Sequence, residues 1–354
     1  MNSLSVAVVI PFHNGSAWIE RAIDSAVNQT KPPAEILIVD DGSLPAQATE
    51  LLNLRERYSF QIYTQENLGQ SAARNFGVSR ANSEYICLLD QDDYFLPNHI
   101  SDLLDEVDLS DEMFAYSYGD LNRVSESGEI LASTCVNVNS QHPYTELQTM
   151  LRHNMYILPS ATLIRRSAFL AVGGFDETLQ GYEDDDLFLR FYLSGYSSRF
   201  VPKAVSAWTV NLSSTSFTEA MSRSRFLYMK KLFGLFPQER TGTREVFGRF
   251  VFSRFAYKIA EDVIESALSE FEFFKERVER LKHVRGLALR SKGIGVNTLL
   301  AYLLLTAPLV YLGPTLLRLL LRSLLKAGPS LRLLKIELLG EYIDRHSPPK
   351  KIIL

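Results

Sequence analysis

Short apolar runs alternate with stretches of helical periodicity along the first hundred residues of the chain. The runs are rich in Val, Ile and Leu and predict four strands, at residues 5–12, 34–41, 60–65 and 84–91. Strands that are apolar along almost their whole length are typical of a parallel sheet that is covered on both faces. Because helical segments separate these strands, the pattern predicts an α/β fold.

Polar residues follow each of the four predicted strands. They read HNG after the first strand, DDGS after the second, ENLGQSAARN after the third and DQDD after the fourth. In a parallel α/β sheet, ligands bind beyond the carboxyl ends of the strands, where such loops converge. The four segments therefore predict a ligand site at one edge of the sheet. Further strands are predicted near residues 114–118, 129–136 and 161–165.

Three carboxylates, Asp90, Asp92 and Asp93, stand in four positions directly after the fourth strand. Carboxylates this close raise one another's pKa unless a cation or hydrogen-bond donors neutralise them. Mg²⁺ or Mn²⁺ would do so, because these ions use one or two carboxylates together with the phosphates of a substrate. The alternative is an acidic turn that water solvates. The position at a strand end that faces other polar loops favours the metal.

The neighbouring loops suit a nucleotide. Asp41 follows a strand and could accept hydrogen bonds from ribose hydroxyls or a base N–H, although Asp-Gly-Ser is also an ordinary turn signal. Arg74 is the sole cation of the four loops. It could pair with a diphosphate or with the acidic cluster itself.

A second acidic cluster, Glu183 to Asp186, opens a helix that is predicted over residues 182–195. Acidic residues in the first turn are favoured by the helix dipole, and that complementarity alone could explain them. One or two acids suffice for that purpose, however. Mutual repulsion among four would raise the pKa of at least one of them, which suits a general base.

Six motifs, in this order, resemble the inverting glycosyltransferases of family 2, which have the GT-A fold. They are VVIPFHN (8–14), IVDDGS (38–43), ENLGQSAARN (66–75), LLDQDD (88–93), GGFDE (173–177) and GYEDDDLFLR (181–190). The resemblance implies a Rossmann-like, mostly parallel central sheet flanked by helices, and the pattern of residues 218–290 itself predicts a helical extension after that sheet. The resemblance covers roughly residues 5–195 and says nothing about residues 220–354.

The resemblance also implies roles for residues on the donor side. Pro11, Asn14 and Asp41 would lie near the nucleobase and ribose, and Arg74 lies in the stretch that meets the nucleotide. Asp90 and Asp92 would form the family's Asp-X-Asp, with Asp92 as the direct ligand of Mn²⁺ or Mg²⁺. The donor would be a nucleotide sugar, and UDP is the nucleotide that relatives use most often.

On the acceptor side, the resemblance implies that Asp184 is the general base and that Glu183 helps to place the acceptor. The base would remove a proton from an acceptor hydroxyl on a glycan, a lipid-linked molecule or another compound, in surface polysaccharide or glycoconjugate synthesis. Many relatives carry a His after the base helix, whereas this chain has Trp208 and Asn211 there. A nucleotidyltransferase and a non-catalytic nucleotide-sugar-binding or scaffold protein are the alternatives.

Four segments are predicted: residues 1–105 as the nucleotide-sugar-binding half of the GT-A domain, 106–217 as its acceptor-binding half, 218–290 as a helical extension, and 291–354 as a basic apolar tail. Residues 275–354 carry 15 Lys and Arg against 5 Asp and Glu. The apolar segment at 294–325 could lie on a membrane, span it, or form a buried helix pair or oligomer interface.

The tail indicates where the protein works. A basic charge beside apolar helices favours an anionic membrane surface, bound through residues 290–335, and no nucleic-acid motif accompanies it. The first residues do not resemble a signal peptide, and the two cysteines show no metal-ligand spacing. We therefore expect a cytoplasmic protein at the cytoplasmic face of a membrane, with a homo-oligomer left open and no nucleic-acid partner.

Overall fold

The computed structural model describes residues 4–139, 142–210, 218–236, 247–269, 273–291 and 294–326. The chain forms two compact units, Met1–Ser224 and Arg225–Leu354. Asn211 stands in the region where many relatives carry a His, and it lies outside the described residues. The part of the basic tail beyond residue 326 lies outside them too.

One sheet runs through the first unit, with its strands in the order β3-β2-β1-β4-β8-β6-β9-β5 and β7 paired to β6 outside that path. Strands β1 to β4 pair in parallel, β9 runs parallel to β6, and β8 and β5 are antiparallel to their neighbours. The strands are β1 (Val6–Phe12), β2 (Glu35–Asp41), β3 (Gln61–Gln65), β4 (Tyr85–Leu88), β5 (Tyr94–Phe95), β6 (Phe114–Val124), β7 (Ile130–Ala132), β8 (Thr162–Arg165) and β9 (Ser197–Thr209). The mostly parallel α/β sheet is the predicted one.

Helices cover the sheet of the first unit. They are α1 (Ser16–Val27), α2 (Pro45–Asn53), α3 (Gln70–Arg80), α4 (His99–Leu104), α5 (Cys135–Asn139), α6 (Leu147–Arg152), α7 (Arg166–Ala171) and α8 (Glu183–Leu193). Helix α3 approaches β1 and β2 closely at Gly77, where a Cβ atom would lie 2.4 Å from a methyl group of Val9. The small residue therefore sets the depth at which α3, and with it Arg74, sits on the sheet.

The four amino-terminal strands each begin one residue later than predicted, and the first three end where predicted. Strand β4 ends earlier, at Leu88, because the chain turns at Asp90, whose carbonyl accepts the N–H of Asp93 at 3.1 Å. The strand predicted over 129–136 is wrong beyond Ala132. There the carboxylate of Asp120 accepts the N–H groups of Val136 and Asn137 and so begins the short helix α5.

The second unit is helical, as the sequence predicts for residues 218–290. Helix α9 (Glu219–Leu235) crosses the division between the units, and a π-helical turn (Phe247–Val251) leads into α10 (Phe252–Leu268), α11 (Phe274–Arg290), α12 (Val296–Tyr311) and α13 (Pro314–Lys326). The apolar segment thus breaks into two helices at Gly313 and Pro314. Among the described residues, no helix combines the length and apolarity that crossing a membrane requires.

Candidate active site

The loops after β1, β2 and β4 are joined through His13. Its backbone N–H donates to Oε1 of Gln91 at 2.8 Å, and Nε2 of Gln91 donates back to the His13 carbonyl at 3.2 Å. The ring Nδ1 of His13 donates to the carbonyl oxygen of Asp41 at 2.9 Å, since a carbonyl can only accept. His13 therefore connects three strand ends: its backbone bonds to the side chain of Gln91, and its ring bonds to the backbone of Asp41.

Asp41, the last residue of β2, is buried, and its carboxylate organises the loop after β3. Oδ1 accepts hydrogen bonds from Nε2 of Gln65 at 2.7 Å and from the N–H of Leu68 at 2.9 Å, while Oδ2 accepts the N–H of Gly69 at 2.8 Å. Gly69 has a φ of 93°, a conformation that glycine adopts without strain. The carboxylate thus fixes the turn from which α3 begins.

Pro11 and Asn14, the other residues predicted near the nucleoside, lie at the end of β1 and directly after it. Pro11 is buried within the strand. Asn14 is exposed and left-handed at φ 50°, and its Oδ1 accepts the N–H of Leu44 at 2.8 Å. Its Nδ2 donates to Nε2 of His13 at 2.9 Å. Asn14 therefore connects the β1 loop to the β2 loop beside Asp41.

Asp93 is the buried member of the acidic turn that follows β4. Its Oδ2 accepts a hydrogen bond from Oγ of Ser160, and its Oδ1 accepts the N–H of Thr209, both at 2.9 Å. Burial raises its pKa well above the usual range, and the negative charges of Asp90 and Asp92 raise it further. Asp93 anchors the turn to β9 and lies close to the carboxylates of Asp90 and Asp92.

Asp90 and Asp92 point their side chains towards partly exposed positions on the same turn. Both hydrogen bonds to the Asp90 carboxylate fall on Oδ1, from Nε2 of Gln70 at 2.8 Å and from the Arg74 guanidinium at 2.5 Å. The backbone carbonyl of Asp92 accepts a hydrogen bond from Arg21 at 2.8 Å, and Arg21 also donates to Oγ1 of Thr209 at 2.8 Å. Arg21 thus fixes the backbone of the turn relative to Thr209 on β9.

Arg74 joins the two acidic clusters. Its side chain is 1% exposed, and it donates one N–H to Asp90 on the β4 turn and another to Oε1 of Glu183 on α8 at 3.1 Å. Burial acts against its charge, but the attraction of Asp90 and Glu183 is strong enough to raise its pKa. The guanidinium also lies over the ring of Phe175 at 5.2 Å. Of the two partners that the sequence leaves open for Arg74, the structure shows the acidic cluster.

The third and fourth acids of α8, Asp185 and Asp186, are buried and are held by the surrounding structure. Oδ1 of Asp185 accepts the N–H of Met155 at 3.0 Å. Asp186 is fully buried and forms an ion pair with Arg190 at 2.8 Å, and Arg190 in turn donates to the carbonyls of Val172 and Gly174. These contacts hold the start of α8 against the GGFDE segment and the chain around Met155.

Glu183 and Asp184, the first two residues of α8, are half-buried with their pKa values raised. Desolvation is the main cause for both. Arg74 limits the rise in the pKa of Glu183, whereas the charges of Asp185 and Glu183 push the pKa of Asp184 well above the usual range. The N–H of Asp185 donates to Oδ1 of Asp184 at 2.8 Å and opposes that rise only in part. A carboxylate with a raised pKa is suited to general-base chemistry.

The interpretation of the sequence missed the residues that hold the site together. Arg21 and Gln70 contact the acidic turn, and Gln91 within this turn bonds to His13. Asn75 holds the GGFDE segment by exchanging two hydrogen bonds with the backbone of Phe175, at 2.9 and 2.8 Å. Gln70 and Asn75 flank Arg74 within ENLGQSAARN, so this motif was the available signal for them. Arg21 carries no local signal, because its partners are 71 and 188 residues away.

The residues of the acidic turn fit a hard divalent cation by their chemistry. They offer carboxylate oxygens, which Mg²⁺ and Mn²⁺ prefer, and among the described residues no hydrogen bond is donated to Oδ2 of Asp90. Burial is the main cause of the raised pKa of Asp93, and the negative charges of Asp90 and Asp92 add to the rise. Within the described part of the chain, no group of three or more His, Cys, Asp or Glu forms a metal site by itself. Mg²⁺ sites commonly use one or two carboxylates, with phosphates and water completing the coordination.

Glycosyltransferase sequences match part of the chain. A sequence model described as Glycosyl transferase family 2 matches residues 7–173, which include the acidic turn and end before α8. An uncharacterized glycosyltransferase of Rickettsia conorii is 29% identical over 195 residues, 53% of this chain and 31% of that protein. The uncharacterized glycosyltransferase YwdF of Bacillus subtilis is 26% identical over 235 residues, 65% of this chain and 83% of that one. The chain thus spans less than a third of the Rickettsia relative.

Among solved structures, S. aureus TarS 1-349 in complex with UDP-GlcNAc resembles the chain with a TM-score of 0.55. The similarity covers 81% of this chain and 85% of that one at 17% sequence identity. It concerns the fold, which is the predicted GT-A arrangement with a helical region after it. The family match over residues 7–173, the related sequences and the fold agree in their similarity to glycosyl transferase family 2.

Proposed function

We propose that the protein is an inverting glycosyltransferase that moves a sugar from a nucleotide-sugar donor to an acceptor hydroxyl by a single displacement. The observation that carries the proposal is the pair of hydrogen bonds from buried Arg74 to Asp90 and Glu183. A single cation thereby links the carboxylates proposed to face the donor with the helix that carries the proposed base. A transfer reaction requires these two groups of residues side by side.

On the donor side, Asp92 and Asp90 would hold Mn²⁺ or Mg²⁺, with Asp92 as the direct ligand. The ion would supply positive charge to the diphosphate as the leaving group departs. Gln70 and Arg74 orient the carboxylate of Asp90 through Oδ1 and so keep its other oxygen directed away from them. Arg21 fixes the backbone on which Asp92 stands.

On the acceptor side, Asp184 acts as the base. Its carboxylate takes the proton of the acceptor hydroxyl while that oxygen forms a bond to the anomeric carbon of the sugar, and the bond from this carbon to the diphosphate oxygen breaks. The nucleoside diphosphate leaves with the bonding electrons, and one displacement inverts the anomeric configuration. The raised pKa of Asp184, caused by desolvation and by Asp185 and Glu183, strengthens it as a base. Glu183, oriented by Arg74, helps to place the acceptor.

The nucleotide is proposed to be UDP, bound by the loops around Pro11, Asn14 and Asp41. The structural similarity to a TarS crystallised with UDP-GlcNAc supports the choice of nucleotide. The hydrogen bonds of Asp41 to the turn at Leu68 and Gly69 support a part for this residue in shaping that pocket. The acceptor hydroxyl is proposed to belong to a growing surface glycan or a lipid-linked precursor at the cytoplasmic face of a membrane.

A donor screen tests this proposal. The full chain is incubated with UDP-, GDP- and TDP-linked sugars, with and without Mn²⁺, and release of the nucleoside diphosphate is measured. We expect release from a UDP-linked sugar that requires the metal and loss of that release in Asp92→Asn. Release that proceeds equally well in EDTA, or no release from any donor by folded protein, would contradict the proposal. The anomeric configuration of a product, read by NMR, tests inversion separately.

A further inference from the structure

Helices α12 and α13 each bury one side against the rest of the second unit. Tyr302, Thr306 and Leu309 recur at helical spacing on the buried side of α12, and Leu317 and Leu321 do so on α13. The hydroxyl of Tyr302 donates to the carbonyl of Ala256 on α10, and Arg318 Nε donates to the carbonyl of Ala267 at 2.7 Å. Both helices are therefore anchored by their inner sides.

The opposite sides of the same helices are also apolar. They form what we call the outer leucine face, which consists of Leu300, Leu304, Leu305, Leu316, Leu319 and Leu320, all of them exposed. Leu304 is 74% exposed and Leu319 is 60% exposed, and Tyr311, between them, is 76% exposed. The outer side of a helix in a water-soluble protein ordinarily carries charged and polar residues. A row of leucines there indicates a surface that binds something apolar.

The charged residues in the part of the chain that contains this face are all basic. Residues 290–335 contain seven Lys and Arg and no Asp or Glu. Arg290 and Arg322, at the ends of the described part, are exposed. Apolar residues flanked by cations match the chemistry of an anionic bilayer, in which acyl chains lie beneath negatively charged head groups.

We propose that the outer leucine face binds the surface of an anionic membrane, with α12 and α13 lying in the plane of the interface. The sixteen residues of α12 extend about 24 Å, less than the ~30 Å hydrocarbon core that a spanning helix must cross. The break at Gly313 and Pro314 separates α12 from α13, and each of these short helices has exposed leucines of its own. The inference rests on the proposed membrane-face location and does not depend on the proposed chemistry.

A second copy of the chain fits this face less well. In a symmetric dimer each outer leucine face would meet its own copy, which brings the same cations of residues 290–335 close to one another. Like charges at an interface repel, whereas phosphatidylglycerol or another anionic lipid attracts them.

Vesicle co-sedimentation of the full chain tests the inference. Vesicles of phosphatidylcholine alone are compared with vesicles that also contain phosphatidylglycerol, at low and high salt. The double variant Leu304→Asp/Leu319→Asp places charges on the outer leucine face, and Leu109→Asp does so at an equally exposed leucine of the first unit. Arg322→Glu reverses an exposed charge beside the face, and Arg55→Glu is its control in the first unit.

We expect the wild type to sediment with the anionic vesicles and less so at high salt. The double leucine variant should bind at least about tenfold more weakly, because two charges then stand where two leucines would be buried in the membrane surface. Arg322→Glu should bind at least about fivefold more weakly, because it removes a cation near the membrane surface and adds an anion. Both control variants should bind like the wild type.

Two results would overturn the inference. One is equal binding of the wild type and the double leucine variant. The other is a wild type that ignores anionic vesicles but forms a dimer by light scattering, which Leu304→Asp/Leu319→Asp converts to a monomer. Circular dichroism verifies that each variant is folded, and UDP binding, measured on the same samples, keeps a failure of this inference separate from a failure of the proposed function.

Discussion

The two acidic clusters, Asp90–Asp93 after β4 and Glu183–Asp186 at the start of α8, look alike in sequence and divide their work in the same way. In each, the buried carboxylates are structural. Asp93 accepts hydrogen bonds from Ser160 and Thr209, and Asp186 pairs with Arg190. Among the partly exposed carboxylates, Asp90 and Glu183 pair with Arg74, and Asp92 and Asp184 are the two proposed to take part in the chemistry. A count of acids in a motif therefore overstates the number that can bind a ligand.

The clusters differ in how their charge is balanced. The turn after β4 has the Arg74 guanidinium on one oxygen of Asp90, and its field still raises the pKa of buried Asp93. The acids of α8 begin a helix, where the dipole favours negative charge, and Arg74 reaches Glu183 but makes no hydrogen bond to Asp184. The first arrangement suits a bound cation. In the second, desolvation and the charges of Asp185 and Glu183 raise the pKa of Asp184 despite the dipole, which suits a carboxylate that takes up a proton.

The largest effect is expected from Asp184→Asn, which removes the proposed base from the second cluster. Transfer should fall by about 10²- to 10⁴-fold, the range that general-base catalysis contributes. The amide retains an oxygen that can accept the N–H of Asp185, so the fold should survive. Initial rates with a UDP-linked sugar measure the loss. Near wild-type transfer by Asp184→Asn would show that the base lies elsewhere.

Arg74→Met separates the two clusters and should destabilise the protein by about 3 kcal/mol, because it leaves Asp90 and Glu183 without their buried partner. Arg57→Met is the matched control. Arg57 pairs with Glu20 at 2.7 Å, but both side chains are about half exposed, so the expected loss of stability is much smaller. Urea denaturation measures both. Equal midpoints for the two variants would show that the Arg74 bridge does not stabilise the fold.

A smaller effect, on pH dependence, is expected from Asp185→Asn. A base works only when ionised, so the raised pKa of Asp184 makes transfer decline at a higher pH than an ordinary carboxyl group would. The charge of Asp185 is the largest cause of that rise after desolvation. Its removal should lower the pKa of Asp184 and move the acid limb of kcat/KM to lower pH. The amide oxygen can still accept the N–H of Met155. An acid limb at the wild-type position would argue against Asp184 as the titrating group.

The sequence predicts the amino-terminal half of the fold well, because burial on both faces leaves a clear apolar pattern in β1 to β4. It also predicts which loops converge, since the carboxyl ends of parallel strands share an edge. Helix α5 escapes prediction because its start depends on Asp120, a residue of strand β6. The break between α12 and α13 is visible in Gly313 and Pro314, but which leucines stay exposed depends on packing against α10 and α11.

The roles within the site were harder to predict than its location. The choice of Arg74 between a diphosphate and the acidic cluster depends on the approach of α3 to α8, whose paired residues are 109 positions apart. Likewise, the burial of Asp93 depends on Thr209, 116 positions away. The roles that the family resemblance implies remain predictions for every site residue: Pro11, Asn14, Asp41, Arg74, Asp90, Asp92, Glu183 and Asp184.

Calorimetric binding of UDP, with and without Mn²⁺, to Asp92→Asn and Asp184→Asn tests the division of labour between the clusters most directly. The account predicts that Asp92→Asn loses the metal-dependent part of the affinity for UDP. The loss should be at least about 10- to 100-fold, since a change even at residues that only contact a metal's ligands has an effect of that size. It predicts that Asp184→Asn binds UDP and Mn²⁺ like the wild type. Intact metal-dependent binding in Asp92→Asn, or its loss in Asp184→Asn, would contradict the account.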